Sequence, residues 1–367
     1  MDHAEWTEKA RRVQALLDRH HLDALLLRRS ANVAWLSGGG RSYINLASEG
    51  GGGSLLVTPT GRYLLTDVIE GERLRDEEGF GAGGWEVVAE PWHAAGKRLA
   101  ALTAGLRVGA DGPGPGLVDL ADEIAHLRWP LTPAEVDRCR ALGADAGAAI
   151  GEAARAVRPG MTEYAIAGLL AEATYRHGAT PIVALIAADE RMLTRRHPLP
   201  TDRPMERAAM LVLCARRAGL IASVTRLVHH GPVPAEMQRA LRAVATIDAT
   251  TVQATRPGVP IRAIFATLVA TYAAVGYPGE WQRHHQGGPA GYEAREYIAT
   301  PDLPEVVAAV QPFAWNPSVP GAKSEDTFLI TEAGAELLTP TPGWPQIPVA
   351  ANGATLDRPD ILRLDLQ

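Results

Sequence analysis

The chain has 367 residues, of which 46% are hydrophobic and 21% are charged, and its formal net charge is −6. This composition is typical of a globular protein large enough for two domains, and its acidic balance argues against general nucleic-acid affinity. No apolar run approaches the roughly 20 residues that span a bilayer. Two cysteines, Cys139 and Cys214, make no disulfide framework, and the charged start MDHAEWTEKARRVQ does not resemble a signal peptide. We therefore predict a cytoplasmic protein.

The first part of the chain alternates helical and strand patterns. EWTEKARRVQALLDRHH has apolar residues at near-helical spacing, and LDALLLR is typical of a buried strand. GGSLLVTPTGRYLLTD predicts two strands joined by a Pro-Thr-Gly turn. LRVGADGPGPGLVDLADEIA predicts a strand, a Gly/Pro loop and a helix. We predict a smaller α/β domain over residues 1–128.

A long helix is predicted to begin just after Thr132. Thr132 is a good N-cap, Pro133 suits the first turn, and Glu135 completes a capping box. The preceding RWPL is a plausible linker. The predicted boundary lies near residue 129, so the second domain spans 129–367.

The second part carries a faint internal repeat. PAE recurs at positions 133 and 234, and RPG recurs at 158 and 256. Each copy predicts a helix, a Pro-Gly turn and a second helix, followed by strand-rich sequence. The pattern favours an α+β domain with pseudo-two-fold symmetry. The alternative is that two alanine-rich helix pairs look alike by composition.

Two stretches concentrate reactive side chains beside glycine. RHHQGGPAGYEAREY, residues 283–297, is compatible with a metal site, an acid–base catalyst or a polar hairpin. WLSGGGRSYINLASEGGGGS carries Arg41, Tyr43 and Asn45, which could reach a substrate, but it could equally be a surface loop.

Six segments in order carry a resemblance to a known family. They are TPAEVDRCRALG, RPGMTE, HPLPTDRPMERAAMLVLCARRAGLIASVTR, RPGV, HHQGG and KSEDTFLIT. Residues 131–335 resemble the pita-bread family of methionine aminopeptidases, prolidases, Xaa-Pro aminopeptidases and creatinase. The first 128 residues resemble the N-terminal domain of its prolidase and creatinase branch. The resemblance implies an α+β pita-bread domain preceded by a smaller α/β creatinase-type domain.

The same resemblance raises the question of a metal. The family's peptidases hold two divalent metals with two aspartates, one histidine and two glutamates. The matching positions here hold Val212 or Cys214, Ser223, His284 or His285, Asn316, and Glu325. Two adjacent cations need several anionic oxygens, and three carboxylates are missing. We therefore expect no metal and no cofactor; a single divalent metal on Cys214 and His285 is conceivable, but the spacing matches no standard zinc pattern.

Catalysis without metal occurs within the family. Creatinase uses a histidine acid–base, and the resemblance implies His197 for that role, although a solvated loop histidine is the alternative. We predict His285 as a second proton donor in preference to His284, because neighbouring residues of a strand face opposite ways. A buried Glu325 needs a positive partner, and the candidates are a substrate cation, Lys323, His285 or a structural ion pair with Arg226.

Further residues are predicted to bind substrate. They are Arg41, Tyr43, Asn45, Arg226, His284, Tyr292, Glu293, Arg295, Glu296 and Asn316. Creatinase places the N-terminal domain of one subunit at the other subunit's site, so we expect a homodimer with Arg41 as a carboxylate clamp. A solvated, salt-bridged strand would account for at least two of the four charged or phenolic groups at 292–296.

Three functions are compatible with these residues. The first is a metal-independent hydrolase that cleaves a C–N bond in a small amino-acid-like or peptide-like substrate. A lyase on a specialised metabolite is a variant of it. The second is a catalytically inactive pseudo-peptidase that acts as a binding protein. The third is an Xaa-Pro aminopeptidase-type metallopeptidase with an altered ligand set. The substrate itself is not indicated.

Overall fold

A computed structural model describes residues 3–94, 96–351 and 353–365. The chain divides into two compact units. The first runs to Val136 and adds residues 218–220, and the second comprises 137–217 and the chain from Ile221 onward. The units part inside the helix that begins at Pro133, a little beyond the boundary predicted near residue 129. No helix in the described part of the chain is long and apolar enough to cross a membrane.

The first unit is built on a six-stranded mixed sheet. Its helices are α1 (His3–His20), α2 (Ser30–Ser37), α3 (Lys97–Leu102) and α4 (Ala121–Arg128), with short π-helical and 3-10 turns at Arg73–Glu77 and Trp92–Ala94. Its strands are β1 (Ala24–Arg29), β2 (Gly50–Thr58), β3 (Gly61–Asp67), β4 (Glu86–Glu90), β5 (Val108–Ala110) and β6 (Leu117–Asp119). Their order in the sheet is β4-β3-β2-β1-β5-β6. The predicted α/β layer is confirmed.

The hairpin of β2 and β3 forms where the sequence predicts it. Thr58 pairs with Gly61 across the Pro-Thr turn, and Leu56 pairs with Tyr63. Leu26 and Leu56 lie in the apolar cluster on one face of this sheet. The run LLL of β1 is fully buried, as expected for a central strand flanked by β2 and β5.

The helix that links the units starts at the predicted capping box. The Thr132 N–H donates to Glu135 Oε2 at 2.8 Å, and the Glu135 N–H donates to Thr132 Oγ1 at 3.4 Å. Both side chains are buried. Each satisfies a backbone donor that the first helical turn leaves without a partner.

The second unit contains two helix pairs and two four-stranded sheets. Its helices are α5 (Pro133–Ala156), α6 (Glu163–Arg176), α7 (Arg191–Thr194), α8 (Ala235–Ala254) and α9 (Ile261–Ala274), with a 3-10 turn at Glu280–Arg283. Its first strands are β7 (Thr180–Ala188), β8 (Ala208–Arg217), β9 (Leu220–His230), β10 (Gly287–Pro289), β11 (Gln311–Trp315) and β12 (Ser318–Val319). The others are β13 (Ala322–Lys323), β14 (Asp326–Thr331), β15 (Gly334–Leu337), β16 (Gln346–Ala351), β17 (Ala354–Pro359) and β18 (Leu362–Leu364). The sheets run β18-β9-β8-β7 and β10-β11-β14-β15.

The predicted internal repeat appears as matching backbone geometry. Gly160 follows α5 with φ +86°, and its N–H donates to Met205 O at 2.8 Å. Gly258 follows α8 with φ +82°, and its N–H donates to Val307 O at 2.9 Å. Each glycine thus turns the chain through the left-handed region between two helices and ties that turn to a later segment. The pseudo-two-fold pita-bread architecture is confirmed.

Candidate active site

A cavity of about 430 Å³ opens in the second unit. Its lining is apolar on one side and charged on the other: Val183, Leu185, His197, Val212, Cys214, His285, Glu293, Ala294, Arg295, Ile298, Asn316, Lys323 and Glu325. The apolar wall comes from β8 and the neighbouring edge strand β7, which contribute Val212 and Cys214, and Val183 and Leu185. The polar wall is formed by loop residues, by the chain just before β10, and by the segment KSED at residues 323–326. The cavity therefore offers an apolar surface opposite ionisable groups, as small-molecule sites commonly do.

Three histidine rings meet at one end of the site. His197 lies in the loop after α7, and its Nε2 is 3.0 Å from Nε2 of His284. The His284 and His285 rings stack with centroids 4.6 Å apart and an interplanar angle of 20°. The expectation that these neighbours face opposite ways is wrong for their rings, which stack although the backbone of His284 is extended, with φ −157° and ψ 143°. His285 lines the cavity, and His284 is buried behind it.

The surroundings of all three histidines favour the neutral imidazole. Burial lowers the pKa of His284 to about 2, with Lys323 adding to the effect. Burial and the Arg295 cation lower the pKa of His285 to about 4. Partial burial and Lys323 also lower the pKa of His197, which is exposed at the mouth. Neutral imidazoles keep a nitrogen lone pair that can accept a proton or bind a metal.

Glu325 is buried between two cations. Its Oε1 accepts from Arg295 at 2.8 Å, and its Oε2 is 3.1 Å from Lys323 Nζ and accepts from Thr225 Oγ1 at 2.6 Å. Burial alone would raise the pKa of this carboxyl, but Lys323 and Arg295 outweigh it and hold the pKa at about 2. Both oxygens of Glu325 are already engaged, so its contacts support positioning of the two cations rather than capture of a substrate cation.

Arg226 does not supply the ion pair with Glu325 that was the alternative prediction. Its guanidinium is fully buried and donates to Asp326 Oδ1 at 2.8 Å, to Thr341 Oγ1 and to backbone carbonyls. Within KSED, Lys323 and Glu325 line the cavity whereas Asp326 faces this buried network. Arg226 therefore supports the strand behind the cavity and does not line the cavity itself.

The remaining predicted residues of the second unit divide into two groups. Asn316 and Glu293 line the cavity. The buried Asn316 Oδ1 has no hydrogen-bond partner among the described residues, so it can accept one from a ligand. Glu296 instead accepts from the Tyr292 N–H at 2.9 Å, and neither residue lines the cavity. The Glu296 side chain thus closes the loop that carries Arg295 through a bond to the Tyr292 backbone.

The three predicted residues of the first unit lie in an exposed loop. Arg41 pairs with Glu78 at 2.7 Å, so this guanidinium already has a carboxylate partner. Asn45 Oδ1 accepts from the Ala47 N–H at 2.9 Å. Tyr43 is half-buried in the same loop. Their role at a site shared between two subunits, and the homodimer itself, stay predictions.

Lys323 and the apolar wall are the features that sequence reasoning underrated. Lys323 was considered only as a partner for Glu325, yet both line the cavity. Their i, i+2 spacing in an extended segment was the available signal, because alternate residues share a face. Ile298, by contrast, reaches the cavity from an irregular loop and gives no periodic signal.

Family comparisons agree with this architecture. Residues 137–332 match the metallopeptidase family M24, and residues 9–114 match the creatinase/prolidase N-terminal domain. The chain belongs to the metallopeptidase family M24 and carries the creatinase/prolidase type of N-terminal domain. At the level of class it is therefore a peptidase-like or prolidase-like hydrolase.

Individual relatives share nearly the whole length. The chain is 23% identical to an Xaa-Pro dipeptidase of Pyrococcus horikoshii over 357 residues, which covers 91% of this chain and 97% of that protein. The crystal structure of the prolidase from Pyrococcus horikoshii OT3 has a TM-score of 0.77 at 21% identity, covering 91% of this chain and 98% of that one. An Xaa-Pro dipeptidase from Bacillus anthracis has a TM-score of 0.77 at 18% identity, covering 98% and 100%.

The expectation that the chain has no cofactor is wrong at the level of its family. Residues 137–332 belong to a family described as metallopeptidases, so a metal is the cofactor that family membership implies. The histidine cluster also offers ligand atoms that all lie within 4.8 Å of one another. The absence of a metal can therefore no longer be inferred from the missing carboxylates.

The carboxylate positions nevertheless do not fit a pair of metal ions. Arg295 donates to Ser223 Oγ at 3.1 Å and to Glu325 Oε1 at 2.8 Å, so its guanidinium joins two positions that the family resemblance assigns to metal-binding carboxylates. Cys214 Sγ lies 3.3 Å from Ser223 Oγ, and burial raises the pKa of this thiol. Glu325 is a single carboxylate that is already paired with two side-chain cations. It therefore cannot offset the repulsion between two divalent ions.

Proposed function

We propose that this protein hydrolyses a C–N bond, in an amide or peptide-like linkage, of a small substrate that carries a carboxylate. The observation that supports it best is the meeting of neutral histidines and a cation pair around one cavity of about 430 Å³. Family membership supplies the reaction class, since the relatives described above are dipeptidases and prolidases by name.

The cation pair accounts for the carboxylate. Lys323 and Arg295 together carry two positive charges, and Glu325 returns one negative charge. The remaining positive charge is largely shielded from water, because Lys323 is 3% exposed. An anionic oxygen that enters the cavity meets charge-assisted donors in a region of low dielectric. The apolar wall of β7 and β8 would pack against the aliphatic part of the same molecule.

The histidines and Asn316 account for the reaction. Hydrolysis needs a lone pair that activates water near the scissile bond, and neutral His197 and His285 supply such nitrogens. Water adds to the carbonyl carbon, the C–N bond breaks, and the leaving nitrogen takes up a proton. The Asn316 Oδ1 would accept a hydrogen bond from the N–H of a secondary-amide substrate and so orient the bond that breaks, a contact that an Xaa-Pro bond, which has no N–H, would lack.

The test is a mass-spectrometric screen of dipeptides, including Xaa-Pro dipeptides, and N-acyl amino acids, each beside its C-terminal amide. We expect hydrolysis of the free acids and at least a tenfold lower kcat/KM for the amides. Lys323→Met should raise KM at least tenfold for the acids and little for the amides, because it removes one clamp charge.

Lys97→Met is the matched control, since Lys97 lies exposed on α3 of the first unit. If both variants cleave acids and amides equally well, the proposed binding of the substrate carboxylate by Lys323 and Arg295 is contradicted. Ligands that bind the cavity and are never cleaved would instead favour the binding-protein alternative and overturn the proposed hydrolase.

A further inference from the structure

We propose that His197, His284 and His285 together bind one divalent transition-metal ion, at a site separate from the carboxylate positions of the family. Each ring offers a nitrogen, and these atoms all lie within 4.8 Å of one another. In the described part of the chain, a search for three histidine, cysteine, aspartate or glutamate side chains at such a spacing identifies this group. The inference rests on the proposed function and changes one part of it: the imidazole nitrogens would hold the ion, and the ion, in place of His197 or His285 directly, would activate the water.

The spacing of two of the nitrogens already suits a shared ion. Zinc–nitrogen bonds of about 2.0–2.1 Å at a tetrahedral angle place two ligand nitrogens about 3.3 Å apart. The Nε2 atoms of His197 and His284 are 3.0 Å apart and point at each other. A small rotation of either ring separates them enough to admit an ion between them. His197 can make that rotation because it is exposed on a loop.

His284 carries a second, independent sign of a missing partner. This side chain is 8% exposed, and its Nδ1 has no hydrogen-bond partner among the described residues. A buried polar nitrogen left in this way costs free energy, and a flip of the ring that presents Nδ1 to the ion would recover it, whereas an ion on Nε2 would not.

The third ligand can join with little loss. His285 stacks on His284, and its described hydrogen bond, from the Gly287 N–H to Nδ1, is long at 3.3 Å. Hydrogen bonds of this length are weak. Turning the ring toward the other two nitrogens therefore gives up little, and three imidazoles with an open fourth position form a recognised catalytic arrangement for zinc.

The surrounding charge selects the class of metal. Lys323 and Arg295 lie near the cluster, and Glu325 offsets only one of their two charges. Hard cations such as Mg²⁺ or Ca²⁺ bind through anionic oxygens. The three imidazoles offer none, so such an ion has no ligand that offsets its repulsion by the nearby positive charge. Zinc and its neighbours Co²⁺, Ni²⁺ and Cu²⁺ form strong bonds to neutral imidazole, so they are the ions that this site would take. Such an ion would lower the pKa of a bound water beside the substrate clamp.

The experiment measures metal binding directly, without substrate. Protein treated with chelator is dialysed against Zn²⁺, Co²⁺ or Mg²⁺, and metal content is determined by mass spectrometry. We expect one equivalent of Zn²⁺ or Co²⁺ and no Mg²⁺. His284→Gln and His197→Gln should each weaken Zn²⁺ binding at least 100-fold and abolish the visible absorption of bound Co²⁺.

Two control variants make the result decisive. His177→Gln changes a surface histidine that pairs with Asp145 and Glu152, and it should bind zinc like the wild type. Glu325→Gln should also retain the zinc, because no proposed ligand is changed. Zinc loss in Glu325→Gln but not in His284→Gln would place the ion among the carboxylate positions and overturn the proposal, as would no binding of Zn²⁺ or Co²⁺ above background.

Folding of the variants is checked by thermal melts without metal. Zn²⁺ should raise the Tm of the wild type and of His177→Gln but not that of His284→Gln, since a ligand stabilises only a fold that binds it. An equal zinc-induced rise in His284→Gln would also overturn the site. Metal that binds as expected in a protein that cleaves nothing would refute the proposed hydrolase and leave the histidine site standing.

Discussion

Glu325 shows how two neighbouring cations can keep a buried carboxylate ionised. The side chain is 2% exposed, yet its pKa is about 2 because Lys323 and Arg295 are within ion-pair distance. The family is one of metallopeptidases, and in this chain two side-chain cations pair with the carboxylate. The consequence is an excess of positive charge around Glu325 that attracts anions.

The first prediction at the residue scale concerns Glu325→Gln. A folded-state pKa below the ordinary value of 4.5 stabilises the protein above pH 4.5, and this contribution is lost as the pH falls toward about 2. The variant should therefore be less stable than the wild type at pH 7 by about 3 kcal/mol, at about 1.4 kcal/mol per pKa unit. The difference should shrink steadily between pH 4.5 and pH 2.

Urea denaturation at pH 7, 4 and 3 measures this difference. Glu236→Gln is the control, because the Glu236 side chain is exposed and its only described pairing, with Arg239, is 3.8 Å long. A gap between the wild type and Glu325→Gln that stays constant with pH would show that Glu325 acts by packing and not by charge.

At the scale of single elements, the short strand β10 fixes the approach of the histidines to the cavity. Gly287 pairs with Trp315 and Gly288 with Ala314 across the ladder to β11. A Cβ at Gly287 would lie 2.2 Å from the carbonyl oxygen of Ala314. Position 287 therefore requires glycine for two reasons: a Cβ has no space there, and the φ is +92°. The glycines of HHQGG thus have a structural role that sets the position of His285.

Substitution of two glycines separates these two requirements. Gly258→Ala meets only the cost of a left-handed φ, about 1–2 kcal/mol, because no atom lies within 4 Å of the added Cβ. Gly287→Ala should cost roughly 1–3 kcal/mol more, since the β11 backbone must move. Chemical denaturation measures both. Equal losses would mean that β10 and β11 yield easily and do not hold His285 in place.

At the scale of the whole molecule, the chain beyond the family match completes the second unit. The match to the M24 family ends at residue 332, yet Arg358 of β17 is fully buried and pairs with Asp248 of α8 and Asp326 of β14. Asp326 directly follows Glu325, so this buried network holds the strand that carries one wall of the cavity. Burial raises the pKa of Asp248, and the positive charge of Arg358 opposes this rise.

Removal of the Arg358 charge should therefore destabilise the second unit strongly. Arg358→Met leaves two buried aspartates without their shared cation, which costs about 3–5 kcal/mol in comparable cases. Arg363→Met, at an exposed position of the neighbouring strand β18, should change stability by less than about 0.5 kcal/mol. Thermal and urea unfolding compare the two variants. Similar stabilities would exclude the network as a support of the cavity.

The features that the sequence by itself determined are local ones. The β2–β3 turn, the capping box at Thr132 and the two Pro-Gly turns follow from residues a few positions apart, whose backbone preferences act without help from the rest of the chain. Repeated punctuation then indicated the pseudo-two-fold domain. The family resemblance assigns Ser223 and Asn316 to positions of metal-binding carboxylates, and the sequence alone shows that neither residue is a carboxylate.

The charge partners of the site were decided only by the tertiary structure. Arg295 meets Glu325 across 30 residues and Ser223 across 72, and His284 meets His197 across 87. No local preference selects among the many arginines and acids for such pairs; the packing of β9, β10 and β14 does. The chain alone therefore indicated which groups could react, whereas the fold determined that Glu325 holds two cations and that three histidines share one end of the cavity, because ion pairs and metal sites depend on distances between elements.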